Sequence, residues 1–282
     1  MNKKFVAVRY FMVPLEESLF YKPLSLDARK ALFVEALLQN QTHITEKGVQ
    51  LKIRGIHNDN EIYYGKLGRY SRITMDQDIQ TDFEPQEQDG FYTIRFLCNI
   101  NQQIIVLEMN SNFESDLERI CRWLEAITNK VTIQKEYSVS FRPIVPKGDF
   151  WYIIENASKV FSVTLVLDSP NLFMGNNSGE TALRQWQSIF HQNKLTVKFD
   201  NKKGNLNIPQ EEVGPYVNYA DQGGGHWVVS VFDKISKRRK RINSAQVAAS
   251  TYIESEDKTD DQTLMEAFRN LEEHDEYSET KD

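Results

Sequence analysis

Cysteine is almost missing from this sequence: two residues in 282 are too few for a disulfide framework. Both sit on apolar patterns, Cys98 beside Phe96 and Cys121 beside Leu117 and Leu124, where a thiolate is disfavoured, so each reads as a small buried hydrophobe. Neither has a C-x-x-C partner, and His43, His57, His191, His226 and His274 are not spaced as ligand pairs, so no metal is expected. There is no G-x-S-x-G elbow to carry a nucleophile. The glycines at 223–225, just before His226, lack the lysine of a nucleotide loop and lead into a strand, so they read as a flexible lead-in. No apolar run approaches the roughly 18 residues that span a bilayer, which argues against membrane insertion. MNKKF opens with charge as a signal peptide does, but Arg9 interrupts the apolar stretch and no small-residue cleavage site follows. A cytoplasmic protein without cofactor is the expectation.

What is present is enough to fold. Hydrophobic residues make up 40% and aromatics 11%, and the length suits one large domain or two halves. The clearest stretch is Phe91 to Ile127. Tyr92, Ile94, Phe96 and Cys98 alternate as one face of a strand, Asn-Gln-Gln at 101–103 turns the chain, and IIVLEM returns. Ser115 and Glu118 form a capping-box pattern ahead of Leu117, Ile120, Cys121, Leu124 and Ile127 at helical spacing, completing a β-β-α unit. FWYIIEN and KVFSVTLVLDSPN read as two further strands, followed by a helix over ALRQWQSIF with Leu183, Trp186, Ile189 and Phe190 on one face. The fold class is therefore α+β, with two β-β-α-containing halves, mostly antiparallel sheets and an acidic C-terminal helix. The halves divide as 1–147 and 148–253, with a tail over 254–282.

Around these units, KKFVAVRYFMV reads as an opening strand, and Ser25 as the cap of a helix from Leu26 to Leu38 with Leu32, Phe33, Ala36 and Leu37 inward. GVQLKIRGI, EIYYGKLG and YSRITM read as a meander, and Asp76 to Gly90, polar and without period, as a loop. KVTIQKEYSVSFRPIV carries further strands, and KLTVKFDNKKGNLNIP a strand with a turn at 201–204. GGGHWVVSVFDKISKRRKRINS reads as a hairpin. Thr259 and Gln262 cap a terminal helix whose narrow stripe, Leu264, Phe268 and Leu271, needs a partner, and a homodimer is expected there.

Charge is unevenly spread. The net charge is -6; residues 254–282 hold twelve acids and three bases, or -9, which leaves -6 + 9 = +3 for the rest. Lys234, Lys237, Arg238, Arg239, Lys240 and Arg241 are packed together without an acid among them, a natural element for phosphate contact. The alternative is a solvated hairpin end neutralised by the acidic tail. Lys66, Arg69 and Arg72 recur through the meander, either as a binding face or as an exposed strand surface. Asp168, Asp200 and Lys202 trace the loose outline of a metal-dependent nuclease, in which carboxylates hold Mg²⁺ and a lysine stabilises charge.

The order of elements from about residue 90 to 245 resembles prokaryotic phage-exclusion and phage-defence proteins of the RexA and KwaB type. The stretches that carry the likeness are FLCNINQQIIVLEM, YSVSFRPIV, FSVTLVLDSPN, KLTVKFDNKKGNLN and GGGHWVVSV. The resemblance implies a cytoplasmic, non-enzymatic antiviral defence component that binds DNA, often as a dimer with a second protein. The acidic tail departs from that pattern. A nucleic-acid-binding component of a bacterial antiviral system, contacting DNA or RNA backbone, is the leading expectation; a metal-dependent nuclease and a protein–protein adaptor are the alternatives.

Overall fold

A computed structural model of the chain describes residues 2–15, 24–38, 42–78, 81–168, 178–254, 256 and 258–276. The chain is α+β. All strand pairings within its two sheets are antiparallel.

The first sheet is organised on β1 (Asn2–Pro14). Its apolar residues run almost continuously because both faces are covered. Val6, Val8, Tyr10 and Met12 enter one core, Phe5 and Ala7 another. β2 (His43–Ile44), β3 (Gln50–Asp59), β4 (Ile62–Asp78), β5 (Phe83–Asn99) and β6 (Ile104–Met109) continue the sheet on one side of β1. On the other side β1 pairs first with β12 (Ser250–Glu254) and then with β7 (Tyr137–Pro143).

Helices α1 (Leu26–Leu37) and α2 (Leu117–Thr132) cover the Val6 face. The Tyr10 and Phe33 rings stack there at 3.7 Å. Ser25 caps α1 as expected, accepting from the Ala28 amide. In α2 the cap is Asp116, not Ser115. The Glu114 carboxylate turns back to accept the Ser115 and Asp116 amides, and Asp116 accepts from the Glu118 amide, one residue later than the sequence suggested.

α6 (Asp260–Glu276) covers the other face. Its reciprocal Thr259–Gln262 cap is present. Leu264, Phe268 and Leu271 are buried against Phe5, Leu97, Val106 and Ile253, each burial contributing about 1.5–3 kcal/mol. The stripe that suggested a dimer is thus occupied within the chain. The acids of α6 follow it. Asp260 pairs with the buried Arg95 and lies 3.8 Å from Lys66, and Asp261 lies 2.9 Å from His57. The described part of the acidic segment therefore docks on the first sheet, away from the basic hairpin; residues 277–282 lie outside the described residues.

The second sheet has the order β11-β10-β8-β9: β8 (Ala157–Asp168), β9 (Lys194–Asp200), β10 (Gly225–Asp233) and β11 (Arg238–Asn243). Val163, Leu165, Leu167, Trp227, Val229 and Val231 form its inner face. α3 (Asp149–Glu155), α4 (Ser178–Phe190) and α5 (Gln210–Tyr219) pack on that face through Phe150, Leu183, Val213 and Val217.

Four local readings are corrected. FWYIIEN is mostly helix α3, because Gly148 in a left-handed conformation (φ 96°) starts a turn in which the Tyr152 amide bonds to the Gly148 carbonyl. Lys130–Lys135 continues α2 and a short 3₁₀ turn instead of forming a strand. EIYYGKLG and YSRITM are one strand, β4. Gly68, at the boundary between them, is no break: it pairs with Thr93, and a Cβ there would lie 3.3 Å from the Phe91 ring. The stretch Asp76 to Gly90 is mainly the end of a long β4–β5 arm, paired from Ile62↔Asn99 out to Asp78↔Phe83. On β5 it shows no period because both of its faces are exposed; cross-strand charges such as Arg72 with Glu87, 3.3 Å apart, replace a buried side. Within ALRQWQSIF, Leu183 is buried but Ile189 and Phe190 are exposed; Ser169–Asn171 lie outside the described residues.

The triple glycine does lead into a strand, but it is not loose. A Cβ at Gly223 would meet the Arg9 side chain at 2.8 Å, at Gly224 the Tyr219 ring at 2.4 Å, and at Gly225 the Val166 carbonyl oxygen at 2.2 Å. The last neighbour is backbone and cannot swing aside. Gly225→Ala is expected to lower stability by about 1–3 kcal/mol, read from urea unfolding. An unchanged midpoint would contradict this packing.

Candidate nucleic-acid interface

The β10–β11 hairpin turns on Asp233. Its carboxylate accepts from the Ile235 and Ser236 amides at 2.9 and 2.6 Å and from Lys240 Nζ at 2.8 Å. The Lys240 bond, with the amides, holds this carboxyl well below the usual carboxylate range. Lys237 takes a left-handed conformation (φ 51°) and closes the turn onto the Asp233 carbonyl. Strand alternation then divides the cations. Arg238 and Lys240 stand opposite Asp233 and Val231, while Arg239 and Arg241 stand opposite Phe232 and Ser230 on the other face.

All six cations of the run are exposed. Lys234 Nζ donates to the Glu155 carbonyl at 2.7 Å. The Arg239 guanidinium lies 4.2 Å from the centre of the Phe161 ring, and its Nε donates to Ser230 Oγ at 3.1 Å. Among the described residues, Lys237, Arg238 and Arg241 form no ion pair with a carboxylate.

Register extends this surface over the whole outer face of the second sheet. Lys159, Phe232 and Arg239 form one cross-strand row; Asp200, Ser162, Ser230 and Arg241 form the next; Lys198, Thr164, Val228 and Asn243 the third. These side chains are half-buried or exposed, in contrast to the helix-covered inner face. Among the described residues these three rows carry Lys159, Lys198, Arg239 and Arg241 against one carboxylate, Asp200, which lies 3.8 Å from Lys198; farther along the same face Asp168, opposite Lys194, is bonded to Arg142.

At one end of the face α2 is tied down by two polar contacts. Asn243 Nδ2 donates to Glu118 Oε1 at 2.7 Å, and Arg142 of β7 donates to Glu125 at 2.6 Å and to Asp168 at 2.7 Å. Burial opposes charge on Arg142, and the two carboxylates outweigh it, raising its pKa. Nearby, burial and then Arg142 hold the His226 imidazole below its ordinary range. Arg122, exposed, lies one turn from Glu118 on the same side of α2.

The other cations singled out from the sequence belong to the first sheet. Lys66 faces Asp260, Arg69 donates to the Asn112 carbonyl at 2.7 Å, and Arg72 lies between Glu87 and Asp89. They are not joined to the hairpin, which belongs to the other sheet. The nuclease outline separates too. Ser162 is opposite Asp200 and Asp168 opposite Lys194, so the two aspartates sit six positions apart along the β8–β9 pair, roughly 20 Å at about 3.3 Å per residue. Asp168 is committed to Arg142, and Lys202 stands in the turn after β9. One Mg²⁺ cannot bridge that span. Among the described residues no group of three or more His, Cys, Asp or Glu is placed to hold a metal ion. No helix among them is long and apolar enough to cross a membrane.

Comparison with protein-family profiles and with curated proteins finds no match for this chain.

Asp221, between α5 and β10, was not anticipated. It is buried, accepts from Trp227 Nε1 at 2.8 Å, and is pushed up to about 7 by burial, with Asp149 adding to the rise. The unfolded chain loses this proton near pH 3.8, so between there and about pH 7 the folded state holds a proton that the unfolded state has lost. This group's contribution to stability is therefore greatest at low pH, declines as pH rises, and levels off above about 7. Asp221→Asn is expected to flatten that decline and to stabilise the protein more at pH 8 than at pH 5, with Trp227 fluorescence in the parent titrating near 7. Equal effects at both pH values would contradict it.

Proposed function

We propose that this protein binds nucleic acid without processing it, through sequence-independent phosphate contacts made by the β10–β11 hairpin. The observation that carries the reading is a concentration of exposed cations, Lys237, Arg238 and Arg241 foremost, beside a sheet face nearly free of acid, while the acidic helix is engaged elsewhere. Such density of like charge on one edge is favoured when phosphates supply the counter-charge. Duplex DNA is the first ligand to try. The resemblance to phage-exclusion and phage-defence proteins supplies the setting, a bacterial antiviral system in which the protein acts as a cytoplasmic homodimer with a second component. With the α6 stripe occupied, such a dimer would use another surface.

Arg238→Ala with Arg239→Ala and Arg241→Ala tests the reading. The variant is expected to bind all duplexes more weakly and to the same degree. Its plot of log affinity against log salt should be shallower by about 0.9 for each phosphate that the variant leaves without a cation. Wild-type affinity and slope across the salt series would remove the hairpin from the contact surface.

A further inference from the structure

The outer face of the second sheet has more than charge. A β-bulge shifts the register between β8 and β10: Ser162 is opposite Ser230, but Val160 is opposite Val231. Val160 goes into the core, 7% exposed, and the extra residue, Phe161, is turned out beneath the Arg239 guanidinium. Phe232, half-buried, stands beside Arg239 in the adjoining row. Two half-buried aromatic rings on neighbouring central strands thus lie on the outer face, Phe161 beside Gly204 and under Arg239, flanked by Arg239 and Arg241 on one edge strand and Lys198 on the other. Four strands at about 4.8 Å spacing make this floor roughly 14 Å wide, and α2 stands over one end of it.

We infer that this face is a platform for single-stranded nucleic acid, its bases stacking on Phe161 and Phe232 and its phosphates held by Arg239, Arg241, Lys198 and Lys159. The inference rests on the nucleic-acid reading and narrows it. In a duplex the base faces are stacked on one another and only phosphates and groove edges are offered, for which outward-facing, half-buried phenylalanines have no use. In a single strand the base faces are free, and stacking on aromatic rings combined with a cationic track is sequence-tolerant. The guanidinium over Phe161 occupies the position of a stacked planar group, and it can slide to cover the outer face of an arriving base. DNA and RNA single strands share this chemistry, because each base has the same π-face in both.

The test uses the full chain and fluorescence anisotropy with a thymidine strand of about twelve nucleotides, a uridine RNA of the same length, and a duplex of the same length. Phe161→Ala with Phe232→Ala keeps every charge. It is expected to lose about fivefold or more in affinity for single strands while duplex binding stays within about twofold of wild type. Phe161→Leu, which retains apolar volume but no ring, is expected to act in the same direction and serves if the double variant unfolds. Losing on both strands marks a platform common to DNA and RNA; losing on one marks the platform as selective for that sugar. Unchanged single-strand affinity in either folded variant, or equal loss for single strand and duplex, overturns the platform. In that event wild-type binding that still falls in the hairpin arginine variant leaves the nucleic-acid reading standing, whereas wild-type protein that binds none of the three probes removes both.

Discussion

The Arg142 guanidinium holds the two sheets to one another. It comes from β7, on the edge of β1, and is shared between Glu125 on α2 and Asp168 at the end of β8. All three side chains are largely removed from water, at 15%, 23% and 9% exposed, so each charge depends on the others. Loss of Arg142 would leave the Glu125 and Asp168 carboxylates without their shared counter-charge, at a cost of about 3–5 kcal/mol. The backbone supports the same joint. The Val145 amide donates to the Asp221 carbonyl at 2.8 Å, and Gly223 packs against Arg9 of β1. Because this joint fixes α2 against the end of the second sheet, the outer face of that sheet stays open below it.

A second consequence concerns where opposite charges go. Arg95 is nearly buried, bonded to Glu108 and Asp260, and sits in the face that α6 covers. Apolar burial of Leu264, Phe268 and Leu271 positions the helix; Arg95, Lys66 and His57 then match its acidic first turn. The described part of the negative segment is therefore engaged on the first sheet, where the Asp260 pair with buried Arg95 loses least to screening, while Lys66 and His57 are exposed. The cations of β11 remain at a solvent-facing edge with Asp233 as their near neighbour. An overall net charge of -6 thus coexists with a strongly cationic surface.

Much of the fold was legible because its signals are local. The Ser25 and Thr259 caps, the Tyr92-to-Cys98 alternation, the 201–204 turn and the 225–243 hairpin all follow from residue type and period. The misses have physical causes. The outer part of the β4–β5 arm, exposed on both faces of β5, carries no hydrophobic period. α5 contains Gly214 and Pro215, which disguise a helix held by tertiary packing of Val213 and Val217. The cationic run was visible; its division between two faces needed the register. Phe161 was hidden, since plain alternation with Val163 and Leu165 would place it in the core, and only the bulge turns it out. Arg142 acts through partners 17 and 26 residues away, and Asp221 owes its raised pKa first to tertiary burial, and no spacing reveals either.

The central claim is that nucleic acid lies on the second sheet, over the hairpin and the face beside it. Lysine acetylation footprinting with and without a saturating oligonucleotide, read by mass spectrometry, tests it directly. Lys159, Lys198 and Lys237 are expected to lose reactivity on binding, while Lys52 and Lys66 on the first sheet keep theirs. Protection of Lys52 and Lys66 with Lys159, Lys198 and Lys237 unchanged would contradict it.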